Sequence, residues 1–152
     1  LALALLLLTA APVSAARPLA NDTFRKATEI SIGTTTTLDT SSAKAQRGDP
    51  VPSCTSSLGA TVWYKFTGAG KDVGINTFFS DENYDTVLVV YASTASGLSE
   101  VACNNDYGSL DFWLQASVNL PANAGTTYYI LVGSYSGGPG GNLTLNTHNI
   151  GE

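Results

Sequence analysis

Hard oxygen donors crowd two short stretches of this sequence. Asp81, Glu82 and Asp85 fall within five residues, and Asn104, Asn105, Asp106 and Asp111 within eight, with no Lys or Arg beyond Lys71 to neutralise them. Oxygens at that density suit calcium, which takes about 6–8 oxygen ligands in irregular geometry. Neither stretch has the EF-hand order of a glycine at the sixth place and a glutamate at the twelfth. The competing reading is a solvated acidic rim built from Asx-turns. Asp85 and Asp106 are also a candidate acid and base for glycoside hydrolysis, which needs two carboxylates held at a set separation across a sugar.

Other catalytic chemistries find less support. His148 is the single histidine and lies near the end of the chain, where a solvent-facing strand position explains it. A Ser-His-Asp relay would need it beside a nucleophile. The two cysteines, Cys54 and Cys103, read as one disulfide closing a loop of about 50 residues, because two sulfurs without a neighbouring histidine do not complete a zinc sphere. Tyr107 and Tyr135 fall on loops and Trp113 on the polar face of a strand, where an aromatic ring could stack on a sugar or a peptide. Sandwich core or sheet cover is the alternative for each of them.

These residues need a scaffold, and composition describes it. The chain has 152 residues, 43% hydrophobic and 12% charged, enough for one domain with a real core. Residues 1–16 carry no charge, are dominated by Leu and Ala, and end in small residues. That is the pattern of a secretory signal peptide truncated at its start, too interrupted for a membrane span. Charge is divided along the chain: net +3 up to Lys71 and −8 from Asp72 onward, summing to −5. Nucleic acid is therefore excluded as a partner.

The elements are short strands. Residues 86–91, Thr-Val-Leu-Val-Val-Tyr, are apolar on both alternating faces and belong in the middle of a sheet, with residues 98–103 as the antiparallel partner. Residues 61–67 put Val62, Tyr64 and Phe66 on one face and Trp63 and Lys65 on the other. With residues 72–79 they read as an antiparallel hairpin. Strands are also expected at 29–32, 34–38, 112–120, 126–133 and 142–148, with a helical turn at 25–28 and a long polar loop at 39–57 tethered by Cys54. About eight or nine strands without an amphipathic helix define an all-β antiparallel sandwich over residues 21–148. Val62, Tyr64, Phe66, Val87, Val89, Leu114, Val118, Ile130 and Val132 are its expected core.

Six segments in order carry a family resemblance: Asn21-Asp22 with Ala27; Val62-Trp63-Tyr64-Lys65-Phe66-Thr67; Tyr84-Asp85-Thr86-Val87-Leu88; Val101 to Asp106; Ala124 to Val132; and Gly141 to Leu145. Together they resemble the bacterial pre-peptidase C-terminal domain family across nearly all of residues 21–148. The resemblance implies a jelly-roll-type β-sandwich, secreted, appended to extracellular hydrolases and itself non-catalytic, with collagen-binding and calcium-binding members. Of the family's calcium ligands only Asn21 and Asp22 carry over, because Gly59-Ala60-Thr61-Val62 stands where relatives place aspartates ahead of the strand. Of the collagen-binding tyrosines on the penultimate strand, the matching face here offers Tyr129, Leu131, Gly133 and Tyr135. The expectation is a secreted binding or accessory module for extracellular polysaccharide or matrix protein, with calcium as its candidate ion and a hydrolase as a covalent partner beyond Glu152. The alternative is a small jelly-roll glycoside hydrolase.

Overall fold

The computed structural model describes residues 18–108 and 114–151. The proposed signal peptide, Asp111 and Trp113 lie outside them. Nine strands form two sheets: β1 (Thr28–Glu29), β2 (Thr35–Asp39), β3 (Leu58–Thr67), β4 (Lys71–Asn76), β5 (Thr86–Thr94), β6 (Gly97–Asn104), β7 (Ser117–Ala122), β8 (Thr127–Tyr135) and β9 (Asn142–Asn149). One sheet has the order β1-β3-β8-β5-β6 and the other β2-β9-β4-β7. The single helical element among the described residues is a 3-10 turn, Phe24–Lys26. The fold is the expected β-sandwich.

Between the sheets lies the main core. Val62, Tyr64, Phe66, Leu88, Val90, Ile130 and Val132 face Val73, Ile75, Val118, Leu120, Leu143 and Leu145, all buried. Each such side chain, taken from water to the interior, contributes roughly 1.5–3 kcal/mol to folding. Of the expected core residues only Leu114 is half-buried, at a bend before β7, so the seventh strand begins later than the alternation from residue 112 suggests. Pro121 sits in β7, which as an edge strand has no outer neighbour needing its missing N–H.

Strand connectivity corrects one expectation. Residues 61–67 and 72–79 are not a hairpin: β3 pairs with β1 and β8, whereas β4 pairs with β7 and β9 in the opposite sheet. Gly70, at φ +77°, turns the chain over the rim, a backbone conformation that L side chains rarely adopt. Both strands direct alternating apolar residues to one core, so their sequence pattern is the same whether they pair or face each other. Every connection from β1 to β9 crosses between sheets except the β5–β6 hairpin. A second departure is β1, two residues long and parallel to β3.

The outer face of the five-stranded sheet is also buried. Trp63, Val87, Val89, Tyr91 and Leu131 form a second cluster, with Cys54, Cys103, Leu58 and Tyr129 packed against it. This explains why β5 is apolar on both faces. The cover comes from the segment around Phe24 and from the 46–54 loop. Cys54 and Cys103 are joined, Cα–Cα 5.8 Å, across 49 residues of sequence. By the chain-entropy model a loop of that size is worth about 4 kcal/mol. The double variant Cys54→Ala/Cys103→Ala should therefore lower the denaturant midpoint by roughly that stability. An unchanged midpoint would show that the loop is held without the bond.

Candidate functional site

Two regions gather the residues singled out in the sequence, at different places on the sandwich. At the end of the five-stranded sheet where β5 begins, the Asp85 carbonyl accepts from the Tyr135 N–H, and Thr86 bonds Thr77 and the Leu114 carbonyl. The loop after β6 is folded on itself. Asn104 Nδ2 donates to the Asp106 carbonyl, Asn105 Nδ2 donates to Asp106 Oδ2 at 3.0 Å, and the Ser117 N–H donates to Asn104 Oδ1. These are the Asx-type contacts expected of a polar turn. Asp81 is occupied elsewhere, accepting from the Asn142 N–H and side-chain amide.

Asp85 and Asp106 are brought close enough to interact. Burial, and then the charge of Asp106, push the Asp85 carboxyl above the usual carboxylate range. Asp85 Oδ1 and Asn105 Oδ1 are both shut off from solvent without a hydrogen-bond partner. An enclosed, unpaired oxygen costs free energy, and a cation is one way to satisfy two of them together.

Asn21 and Asp22 do not join this group. Asn21 grips the middle of β3, accepting from the Trp63 N–H through its carbonyl and donating from Nδ2 to the Trp63 carbonyl at 3.1 Å. Trp63 is level with Leu131 and Val89, four residues along β5 from Asp85, or about 13 Å at the rise of a strand. Asp22 Oδ1 lies 3.6 Å from Lys26 Nζ and has no hydrogen-bond partner. Among the described residues no three His, Cys, Asp or Glu side chains gather as a metal cluster.

The aromatic candidates separate in the same way. Tyr107 is exposed and packs edge-on against Phe78, centroids 4.9 Å apart, while Tyr135 is exposed at the end of β8. Both belong to the acidic end. Tyr129 lies on the outer face, opposite Lys65 in register, and its ring meets Phe24 at 4.6 Å.

Phe24 is the residue that sequence reading passed over. Placed by the 3-10 turn, it packs against Tyr129 and edge-on against Trp63 at 5.8 Å, yet stays 37% exposed. A cleft opens on each side of it. One, about 410 Å³, is lined by Phe24, Arg25, Ala27, Lys65 and Tyr129. The other, about 430 Å³, lies between the 3-10 turn and the Gln46–Asp49 turn and is lined by Thr23, Phe24, Arg25, Gln46, Arg47, Gly48 and Asp49. Asp49 is committed to structure: Oδ1 accepts from Trp63 Nε1 at 3.0 Å, and Oδ2 from Thr61 Oγ1 at 2.6 Å and the Gln46 N–H at 2.8 Å. The early clustering of all seven basic residues is a signal that could have pointed here. His148 is exposed on β9, its ring over Gly74.

This is a β-sandwich domain whose sheet face is floored by a buried tryptophan and roofed by a short aromatic-basic turn. Its fold is that of a pre-peptidase C-terminal domain. The solved pre-peptidase C-terminal domain of a collagenase from Bacillus anthracis superposes with a TM-score of 0.53 and 20% identity, over 80% of this chain and 93% of that one. No family profile and no curated protein matches the sequence. Among the described residues no helix is long and apolar enough to cross a membrane.

The raised carboxyl of Asp85 has a pH signature. A carboxylate whose folded pKa lies above its unfolded value supports the fold fully below the ordinary carboxylate range and loses that support as pH rises through the folded value. Asp85→Asn never ionises. In chelator, the melting temperature of the variant minus that of the parent should climb as pH is raised from about 3 to about 7. A difference independent of pH would mean that Asp85 is not strained by ionisation.

Proposed function

We propose that this domain is an extracellular, non-catalytic accessory module that binds polysaccharide or matrix protein. The observation that carries the reading is the exposed Phe24 ring seated on Tyr129, with a cleft on either side and a rigid floor of Trp63 beneath. Aromatic faces held at fixed angles by a buried layer offer apolar area at low entropic cost. The disulfide fits an oxidising compartment. The likeness in fold to a domain of a collagenase supports an accessory role, beside a hydrolase as covalent partner.

Retention of the protein on insoluble polysaccharides and on matrix protein, assayed alongside release of reducing ends and peptides, tests this reading. Retention without turnover is expected, with Phe24→Ala weakening it at least tenfold. Turnover that disappears in Asp85→Asn or Asp106→Asn would instead establish the glycoside hydrolase reading, which the electrostatic coupling of those two carboxylates favours.

Calcium belongs, in this reading, to the loop after β6, with Asp85, Asn105 and Asp106 as donors. The ion would relieve the repulsion that raises Asp85 and satisfy both enclosed oxygens. Binding to the folded form alone at a hundredfold excess over the dissociation constant adds about 2.7 kcal/mol. Millimolar calcium should therefore raise the melting temperature by several degrees over chelator-treated protein, and Asp106→Asn should shrink the shift. No shift would leave the loop a solvated turn.

A further inference from the structure

Three cations stand around Phe24 without a partner. Arg25 lines both clefts, Lys65 one and Arg47 the other. Among the described residues the one ion pair within 4 Å is Lys26 with Asp22, and none of these three forms another. Unpaired cations on an exposed surface are ordinary when scattered. Here they flank one aromatic ridge, in a protein that is acidic overall.

The nearby acids do not cancel them. Asp49 faces one cleft, but its two oxygens already accept three hydrogen bonds. Glu29, the Cα partner of Lys65 on β1, makes no ion pair with it. Glu100, at the far side of the sheet, accepts from the Ser53 N–H and hydroxyl. Of the remaining described acids, Asp22 is paired with Lys26, Asp39 and Asp72 lie on β2 and β4 of the opposite sheet, and Asp81, Glu82, Asp85 and Asp106 belong to the loops flanking the start of β5.

We infer that the Phe24 ridge binds an acidic polysaccharide carrying about one carboxylate per sugar ring, with the ring faces against Phe24 and Tyr129 and the carboxylates on Arg25, Arg47 and Lys65. This inference rests on the binding-module reading and names its ligand class. Charge complementarity selects an anion, since a neutral glycan would use the aromatics and leave three cations idle. An arginine guanidinium matches a carboxylate in planar, two-point geometry. The position of the clefts disfavours an extended acidic peptide. The first cleft is lined by Lys65 of β3 and Tyr129 of β8; β8 is paired on both sides and β3 is paired with β1 at Tyr64 and Lys65, so no free strand edge is offered there for a peptide to extend. A densely sulfated chain is disfavoured by the net charge of −5, which repels a strong polyanion at long range.

Polygalacturonate is the probe, with its fully methyl-esterified form, poly-glutamate and heparin as the other arms, in affinity electrophoresis and calorimetry at low salt. Polygalacturonate should bind more tightly than each of the other three, and raising salt to about 0.5 M should abolish binding, as expected when the contacts are screened. Arg47→Gln, on an exposed turn, and the triple variant Arg25→Gln/Arg47→Gln/Lys65→Gln should each keep the parent's melting temperature within a few degrees. The triple variant should lose at least tenfold in affinity. Equal binding of the methyl ester, or an unweakened folded triple variant, overturns the inference while leaving a binding module in place. Equal or tighter binding of poly-glutamate or heparin assigns the ridge to an acidic peptide or a sulfated chain and overturns it likewise. Retention on no polysaccharide and no matrix protein overturns the module reading and this inference together.

Discussion

Burying Trp63 on the outer face of the five-stranded sheet is the constraint from which the rest of the structure follows. An indole taken out of water needs a partner for its N–H, and Asp49 supplies it. The same carboxylate bonds the Thr61 hydroxyl and the Gln46 backbone, so a single acidic side chain fastens the long loop to the sheet. Breaking it would strand several buried polar groups at once, which makes the arrangement far more costly to lose than any one of its bonds. On the other side, Asn21 holds the Trp63 backbone and positions the 3-10 turn so that Phe24 closes over the indole. The two covers meet above one side chain.

That meeting places Arg25 and Arg47 on facing walls of one cleft although 22 positions separate them in sequence. The disulfide acts further along the loop. By tying Cys54 to Cys103 on β6 it limits how far the 46–54 segment can lift from the sheet face. Cover and surface chemistry are thus coupled: the bonds that hide Trp63 are the bonds that hold the arginines together.

The sandwich was legible because strand alternation and β-branched runs report burial directly. Val87 to Val90 read as a strand buried on both sides, and so they are. Strand partners were less legible. The segments 61–67 and 72–79 carry the hairpin pattern, yet a strand that faces another across a core shows the same alternation as one that pairs with it. Trp63 was assigned to the polar face beside Lys65 because nothing within the strand announces that a loop from residues 46–54 will cover it. The candidate site was legible only in part for the same reason. Asp85 and Asp106 stood out through their own local density, and burial followed by the charge of Asp106 raises the Asp85 carboxyl. Asn21 and Asp22 carry the motif and lie at the middle of β3, where Asn21 Nδ2 donates to the Trp63 carbonyl and Asp22 sits beside Lys26. Phe24 and Arg25 read only as the start of a helical turn at 25–28, with nothing to mark them as a surface.

The division of charge along the chain becomes a division in space. Early residues supply the cover of the outer face and bring the cations with them, while later residues supply the loops at the start of β5 and bring most of the acids. At physiological salt the screening length is about 8 Å, shorter than the roughly 13 Å that separates the two regions along the strands, so each presents its own local field. An anion within that distance of the ridge therefore feels the cations there and little of the acidic end. Contacts made at the ridge and contacts made at the acidic end are therefore electrostatically independent of one another.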